Sequence, residues 1–137
     1  MLAHLAVSCL VRVQARTRLG SGLSLQELER RVLRMCGALK LKGVELSILF
    51  TGDAQMRELN RLYRKKDRTT DVLAFAMTEP PDNGPTGPRG LLGDIVISIP
   101  TARAQAKAAK RSVVDEVTML LAHGLLHLLG GTKGCGS

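Results

Sequence analysis

The 137-residue chain has no tryptophan, one tyrosine and two phenylalanines. With so few aromatic rings, base stacking is a minor resource, and attraction to a nucleic acid has to come from charge. No apolar stretch approaches the roughly 20 residues needed to span a bilayer, so no membrane span is expected. Cys9, Cys36 and Cys135 are odd in number and scattered. No disulfide framework uses all three, and a reducing cytoplasm is the natural setting. Asp and Glu are absent from the first 26 residues, which contain Arg12, Arg16 and Arg18. Transit peptides share that composition. Leu5, Val7, Cys9, Val11 and Val13 nevertheless alternate, and a period of two reads as a first β-strand.

Positive charge is what the chain has in excess. Its formal net charge is +8 and its pI about 10.0, a balance that suits an anionic partner such as nucleic acid or a membrane surface. The length fits one domain with a real core.

After the first strand, Ser24-Leu-Gln-Glu27 has the form of a capping box. Leu25, Leu28, Val32, Met35 and Leu39 follow at helical spacing. Val44, Leu46, Ile48 and Phe50 alternate as a second strand. Asp53 is a good N-cap for a helix bearing Met56, Leu59, Leu62 and Tyr63. A basic cluster runs from Arg61 to Arg68, and Asp71 to Met77 reads as a third strand. Residues 78–90 hold four of the five prolines and three glycines, which makes them a loop. Leu91 to Ile99 is a fourth, very apolar strand. Pro100 suits a helix first turn, and residues 101–111 continue it. Ser112-Val-Val-Asp115 opens a last helix that stops at Gly130-Gly131. The order β-α-β-α-β-β-α-α predicts an α/β domain, with a four-stranded mixed sheet and helices packed on it.

The last helix carries the most telling feature. His123 and His127 lie four residues apart in an apolar run, so both imidazoles leave one helix face about a turn apart and can grip one cation. Two satisfied core histidines would fit the spacing as well. Zinc proteases place a Glu beside the first such His as general base. Gly124 stands there instead, and a glycine lets another backbone or a substrate come close to a metal. Taken alone, the cluster from Leu59 to Arg68 reads as a solvated helix end, where cations are favoured. Thr70-Asp71 can be turn chemistry. Gly93-Asp94 inside a strand is odder: the glycine suggests a close approach, and a buried Asp needs partners.

Taken together, Asn60-Arg-Leu-Tyr-Arg64, Thr70-Asp-Val-Leu-Ala-Phe75, Leu92-Gly-Asp-Ile-Val-Ile-Ser98, Glu116 and His123-Gly-Leu-Leu-His127-Leu-Leu-Gly130 resemble the YbeY family of metal-dependent, single-strand-specific endoribonucleases. The likeness covers roughly residues 44 to 130. It implies a cytoplasmic protein acting on single-stranded RNA, in 3′-end maturation of small-subunit ribosomal RNA and in ribosome quality control, with the ribosome small subunit as partner. It implies zinc as cofactor, His123 and His127 as two metal ligands, and Arg64 as the catalytic basic residue at the cleaved phosphate. Asp71 and Asp94 match acidic positions in the family's strands, with supporting roles. In the complete family site the metal lowers the pKa of bound water or polarises a phosphate oxygen, and basic surface around 61–68 and 103–111 draws in the RNA.

The sequence departs from the pattern where the third ligand belongs. Lys133 occupies the position of the family's third histidine, and an ammonium cannot ligate a dication. The family's further helix beyond Ser137 is not in this sequence. Cys135, two residues past Lys133, is a conceivable replacement ligand, since a His-His-Cys set is a known zinc environment. A catalytically impaired module that keeps RNA or ribosome binding without a complete metal site is therefore the alternative to an active nuclease.

Overall fold

Eight elements follow in the order that the hydrophobic periods predict: β1 (Leu10–Ala15), α1 (Leu25–Ala38), β2 (Glu45–Thr51), α2 (Asp53–Arg64), β3 (Val72–Ala76), β4 (Leu91–Ser98), α3 (Ile99–Ala109) and α4 (Val113–Leu128). The computed structural model describes residues 9–41, 43–65, 70–76 and 91–130. Leu5, Val7, residues 66–69, Met77, the 78–90 segment, Lys133 and Cys135 lie outside the described residues. Among the described residues no helix is long and apolar enough to cross a membrane.

The four strands form one sheet in the order β1-β2-β4-β3. β1 and β4 run parallel to β2, and β3 runs antiparallel to β4, so the sheet is mixed, as expected. Strand alternation assigns its two faces. Val11, Leu46, Ile48, Phe50, Ile95 and Ile97 point to one face, where they pack with Leu28, Val32 and Cys36 of α1 and with Val117, Leu121, Leu125 and Leu128 of α4. Each such side chain contributes roughly 1.5–3 kcal/mol on full burial. The second face is thinner. There Val96 and Leu73 pack against Met56 of α2, with Leu49, Leu59 and Phe75 beside them, and among the described residues the β1 side of this face borders a cavity.

Local chemistry sets the helix ends. The Ser24 and Ser112 hydroxyls accept from the backbone N–H of Glu27 and Asp115 at 3.2 and 3.1 Å. Glu27 turns to Arg30 and Arg31. Its carboxyl is held below the ordinary range, first by the hydrogen bond from Arg31. Asp53 is not the N-cap that its residue type suggested; Gly52 is, and Asp53 is the first helical residue. Its carboxylate is used across the fold, accepting from Ser98 Oγ at 2.5 Å and Thr101 Oγ1 at 2.7 Å. A carboxylate in a helix first turn is also favoured by the helix dipole. This contact fastens α2 to the β4–α3 junction. That junction forms because Ser98 caps α3 and Pro100 sits in its first turn, where no N–H is missed.

Gly93 is the tightest point of the sheet. Its φ is +154°, and a Cβ there would collide with the Phe75 carbonyl oxygen and stand 2.7 Å from Leu128 Cδ2. Gly93→Ala is expected to cost about 2–4 kcal/mol, from backbone strain and overpacking together. Gly37, with nothing within 4 Å of its Cβ position in α1, is the control, and Gly37→Ala should be neutral or stabilise by about 0.5–1 kcal/mol. Urea unfolding of both variants decides it, and equal midpoints would contradict this account of Gly93.

Cys36 is buried in the core, and burial, with the neighbouring Cys9 thiol adding, pushes its thiol up to about 12. The folded state therefore favours the neutral thiol. That contribution is whole below the ordinary thiol pKa of about 8.5 and is lost as pH rises toward the folded value. Reaction follows the thiolate, so Cys36 should resist alkylation at pH 8 in the native protein and react promptly in urea. Peptide mapping showing prompt native labelling of Cys36 would contradict its burial.

Candidate functional site

α4 turns Val117, Leu120, Leu121, Gly124, Leu125 and Leu128 to the core. His123 is exposed and His127 half-buried, so the pair lies along one flank of the helix rather than on its buried face. The structure thus does not make them two core histidines. Gly124 between them has a different role from the one its position suggested. A Cβ at that residue would sit 3.0 Å from Ile95 Cγ2. Its missing side chain lets α4 lie close on β4; it opens no space toward a metal or substrate.

Among the described residues no three His, Cys, Asp or Glu side chains come together to hold a metal ion. A catalytic zinc takes three protein ligands. His123 and His127 would supply two at most, so the described residues do not complete a zinc site. Lys133 and Cys135 are both outside the described residues.

Arg64 is the last residue of α2, and Lys65 closes the helix in the left-handed conformation, φ 58°, with its N–H to the Arg61 and Asn60 carbonyls. A cation there is favoured by the helix dipole. The preceding residue, Tyr63, packs its ring against Phe75, centroids 5.1 Å apart at 59°. Phe75 is the cross-strand partner of Asp94, and Ala76 that of Gly93. Leu128, next to His127, reaches Gly93 from the other face. The last turns of α2 and α4 therefore meet the same end of the β3–β4 pair from opposite faces, with edge strand β3 between them. The fold brings the two histidines to one flank and sets Arg64 at that sheet end on the other face. Arg64, His123 and His127 each interact with a neighbour.

The acidic residues divide. Asp71 is a fastener: Gln105 Nε2 donates to it at 3.2 Å, and its backbone carbonyl accepts from the Ser98 N–H at 3.0 Å. Glu116 is buried in the first turn of α4. Arg111 Nε stands 3.0 Å from its Oε1, near enough for an ion pair, yet that oxygen accepts no hydrogen bond. The Arg111 guanidinium and the helix N-terminus together offset the Glu116 charge. Asp94 is half-buried and opens onto a cavity of about 610 Å³ on the α2 face, with Arg12, Arg16, Ser47 and Tyr63 also in its walls.

Of the basic surface expected at 103–111, Arg103 is already committed, donating to the Leu19 and Ser21 carbonyls at 2.5 and 2.6 Å. Lys107 and Lys110 are exposed. Arg12 and Arg16, which line the cavity, had a legible signal: Arg12, Gln14 and Arg16 alternate with the inward-facing valines of β1.

Comparison with known proteins follows the same outline. A solution structure of TM1509 from Thermotoga maritima superimposes with a TM-score of 0.60 at 24% identity, covering 87% of this chain and 71% of that one; this likeness concerns the fold alone. Relatives bearing the name Endoribonuclease YbeY are closer in sequence. One from an Anaeromyxobacter species is 48% identical over 105 residues, 77% of this chain and 52% of the relative. Another from Myxococcus xanthus is 53% identical over 92 residues, 67% of this chain and 31% of the relative. A third from Aquifex aeolicus is 50% identical over 93 residues, 68% of this chain and 59% of the relative. The chain thus spans about half the length of the curated relatives it matches, or less. Residues 14–132 match the family described as Endoribonuclease YbeY, a span that contains Arg64, His123 and His127, and on that match the chain belongs to the YbeY family.

Proposed function

We propose that this chain acts on single-stranded RNA as an endoribonuclease, and that its substrate is small-subunit ribosomal RNA in the cytoplasm, met on the ribosome. The observation that carries the reading is the family match over residues 14–132. The placement of Arg64 and His127 at one end of the β3–β4 pair supports it. Arg64 is the residue for the phosphate. A guanidinium presents a planar fork of donors to two phosphate oxygens, and aimed at the cleaved phosphodiester it stabilises the charge that builds in the transition state. The net charge of +8 supplies the attraction. Zinc is the proposed cofactor, with His123 and His127 as two ligands and a third donor outside the described residues.

Arg64→Ala should reduce cleavage of a single-stranded RNA about 100-fold or more and reduce binding far less. Equal losses in both would make Arg64 a docking residue. Binding should weaken about twentyfold between roughly 50 and 200 mM salt, as about three phosphate contacts on a single strand require. An affinity that stays flat over that range would contradict electrostatic capture.

Metal content tests the ligand set. The chain should lose zinc on dialysis, and Lys133→His should raise retention to one zinc per chain, since a third imidazole completes the set. Elemental analysis reads both. If the unaltered chain already holds one zinc tightly and Cys135→Ser releases it, the thiol is the third ligand and Lys133 is irrelevant. If neither substitution changes tight binding, the metal is held elsewhere than at His123 and His127.

A further inference from the structure

The open part of the α2 face carries side chains that the proposed cleavage does not use. Strand register sets four of them in one row across the sheet: Arg12 opposite Ser47, Ser47 opposite Asp94, Asp94 opposite Phe75. Neighbouring strands are about 4.8 Å apart, so the arginine and the carboxylate lie roughly 10 Å apart along that row. Tyr63 leans over the Phe75 end, and Leu49 and Val96 form the floor of the same cavity of about 610 Å³. Two of the chain's three Tyr and Phe residues are thus gathered at one groove. Tyr63 is 65% exposed, which no core role requires. The Asp94 carboxylate has no hydrogen-bond or ion-pair partner among the described residues.

We infer that this groove binds a guanosine phosphate unit of a single RNA strand, with the base against Tyr63 and Phe75, its Watson–Crick edge on Asp94 and its phosphate toward Arg12 and Arg16. The inference rests on the proposed action on RNA and deepens it. Of the four bases, guanine alone offers two adjacent N–H donors on that edge, N1–H and the N2 amine, and a carboxylate accepts both at once. Adenine and cytosine bring one amine beside an acceptor, which the carboxylate repels. The aromatic pair accepts any base face, so it contributes affinity and Asp94 contributes choice. Arg12 pairs with Glu45 at 3.3 Å while 64% exposed. A pair that exposed holds its guanidinium weakly and leaves it available to a phosphate.

The test is titration of the full chain with GMP, IMP, AMP and CMP, and with short oligouridylates containing or lacking one guanosine. GMP should bind about tenfold tighter than AMP or CMP, with IMP, which lacks the N2 amine, in between. The guanosine-containing oligomer should bind more tightly than GMP, because a strand adds phosphates to the contact; a free nucleotide that binds more tightly than the oligomer would overturn RNA as the source. Asp94→Asn, which keeps the shape and removes one acceptor, should erase the preference for guanine. Tyr63→Ala should weaken all nucleotides about fivefold or more, leaving their order unchanged. Equal binding of GMP, IMP and AMP by the unaltered chain would overturn the inference, as would a guanine preference that survives Asp94→Asn. RNA cleavage without guanine preference would remove the groove and leave the nuclease reading standing. Guanine binding without cleavage would do the reverse.

Discussion

The close seating of α4 on the β3–β4 pair is the constraint on which the rest depends. It rests on two missing side chains. Gly124 lets the helix lie against Ile95, and Gly93 lets Leu128 and the Phe75 carbonyl share one space. Close packing leaves no room for a methyl group at Gly93, and at Gly124 a methyl would fit only if Ile95 shifted. The consequence reaches beyond stability. Because Leu128 is fixed over Gly93, the preceding turn of the helix, which carries His127, is fixed too. A helix held a few ångströms higher would lose both the core contacts of Leu125 and the position of its histidines.

The opposite face obeys a different economy. α2 is fastened at its start by Asp53, which takes hydroxyl donors from Ser98 and Thr101. Its middle is held by Met56 on Leu73 and Val96. Toward its end the contact narrows to Tyr63 on Phe75. Among the described residues, thin packing leaves a cavity on this side, and Arg12, Ser47 and Asp94 line up in its walls. The well-packed face carries the helix with the histidines, and the poorly packed face carries the groove. Burial on one side gives rigidity, and incomplete burial on the other leaves polar groups available to a ligand.

Much of this was readable from residues. β1 and β2 declared themselves by alternation, β4 by its apolar run, α1 and α4 by Ser24 and Ser112, and the helix bearing the histidines by its apolar run. The misreadings share one cause. Asp53 looked like a local cap, yet its partners are 45 and 48 residues away. Gly124 looked like an opening for a ligand, yet Ile95 fills that side. Arg103 looked like a phosphate contact, yet two carbonyls near Gly20 claim it. Each is a polar or small residue whose role is set by a long-range neighbour, and local pattern carries no record of such neighbours. The groove escaped for a related reason: Arg12 and Asp94 lie far apart in sequence, and only the β1-β2-β4 strand order brings them into one row.

Under the proposed action on RNA, the arrangement favours a single strand over a duplex. Arg64 and the groove lie on the α2 face, and the histidines flank the other face, with β3 between them at the sheet edge. A nucleic acid that meets both must bend around a five-residue edge strand. A duplex is stiff over far longer distances and presents its bases inward, so it neither turns that edge nor offers a Watson–Crick edge to a carboxylate. An unpaired strand does both, because its backbone torsions are free and its bases can splay outward. On the proposed function, selection for single strands needs no dedicated barrier against duplexes, because Arg64 and the imidazole pair lie on opposite sides of a narrow sheet edge.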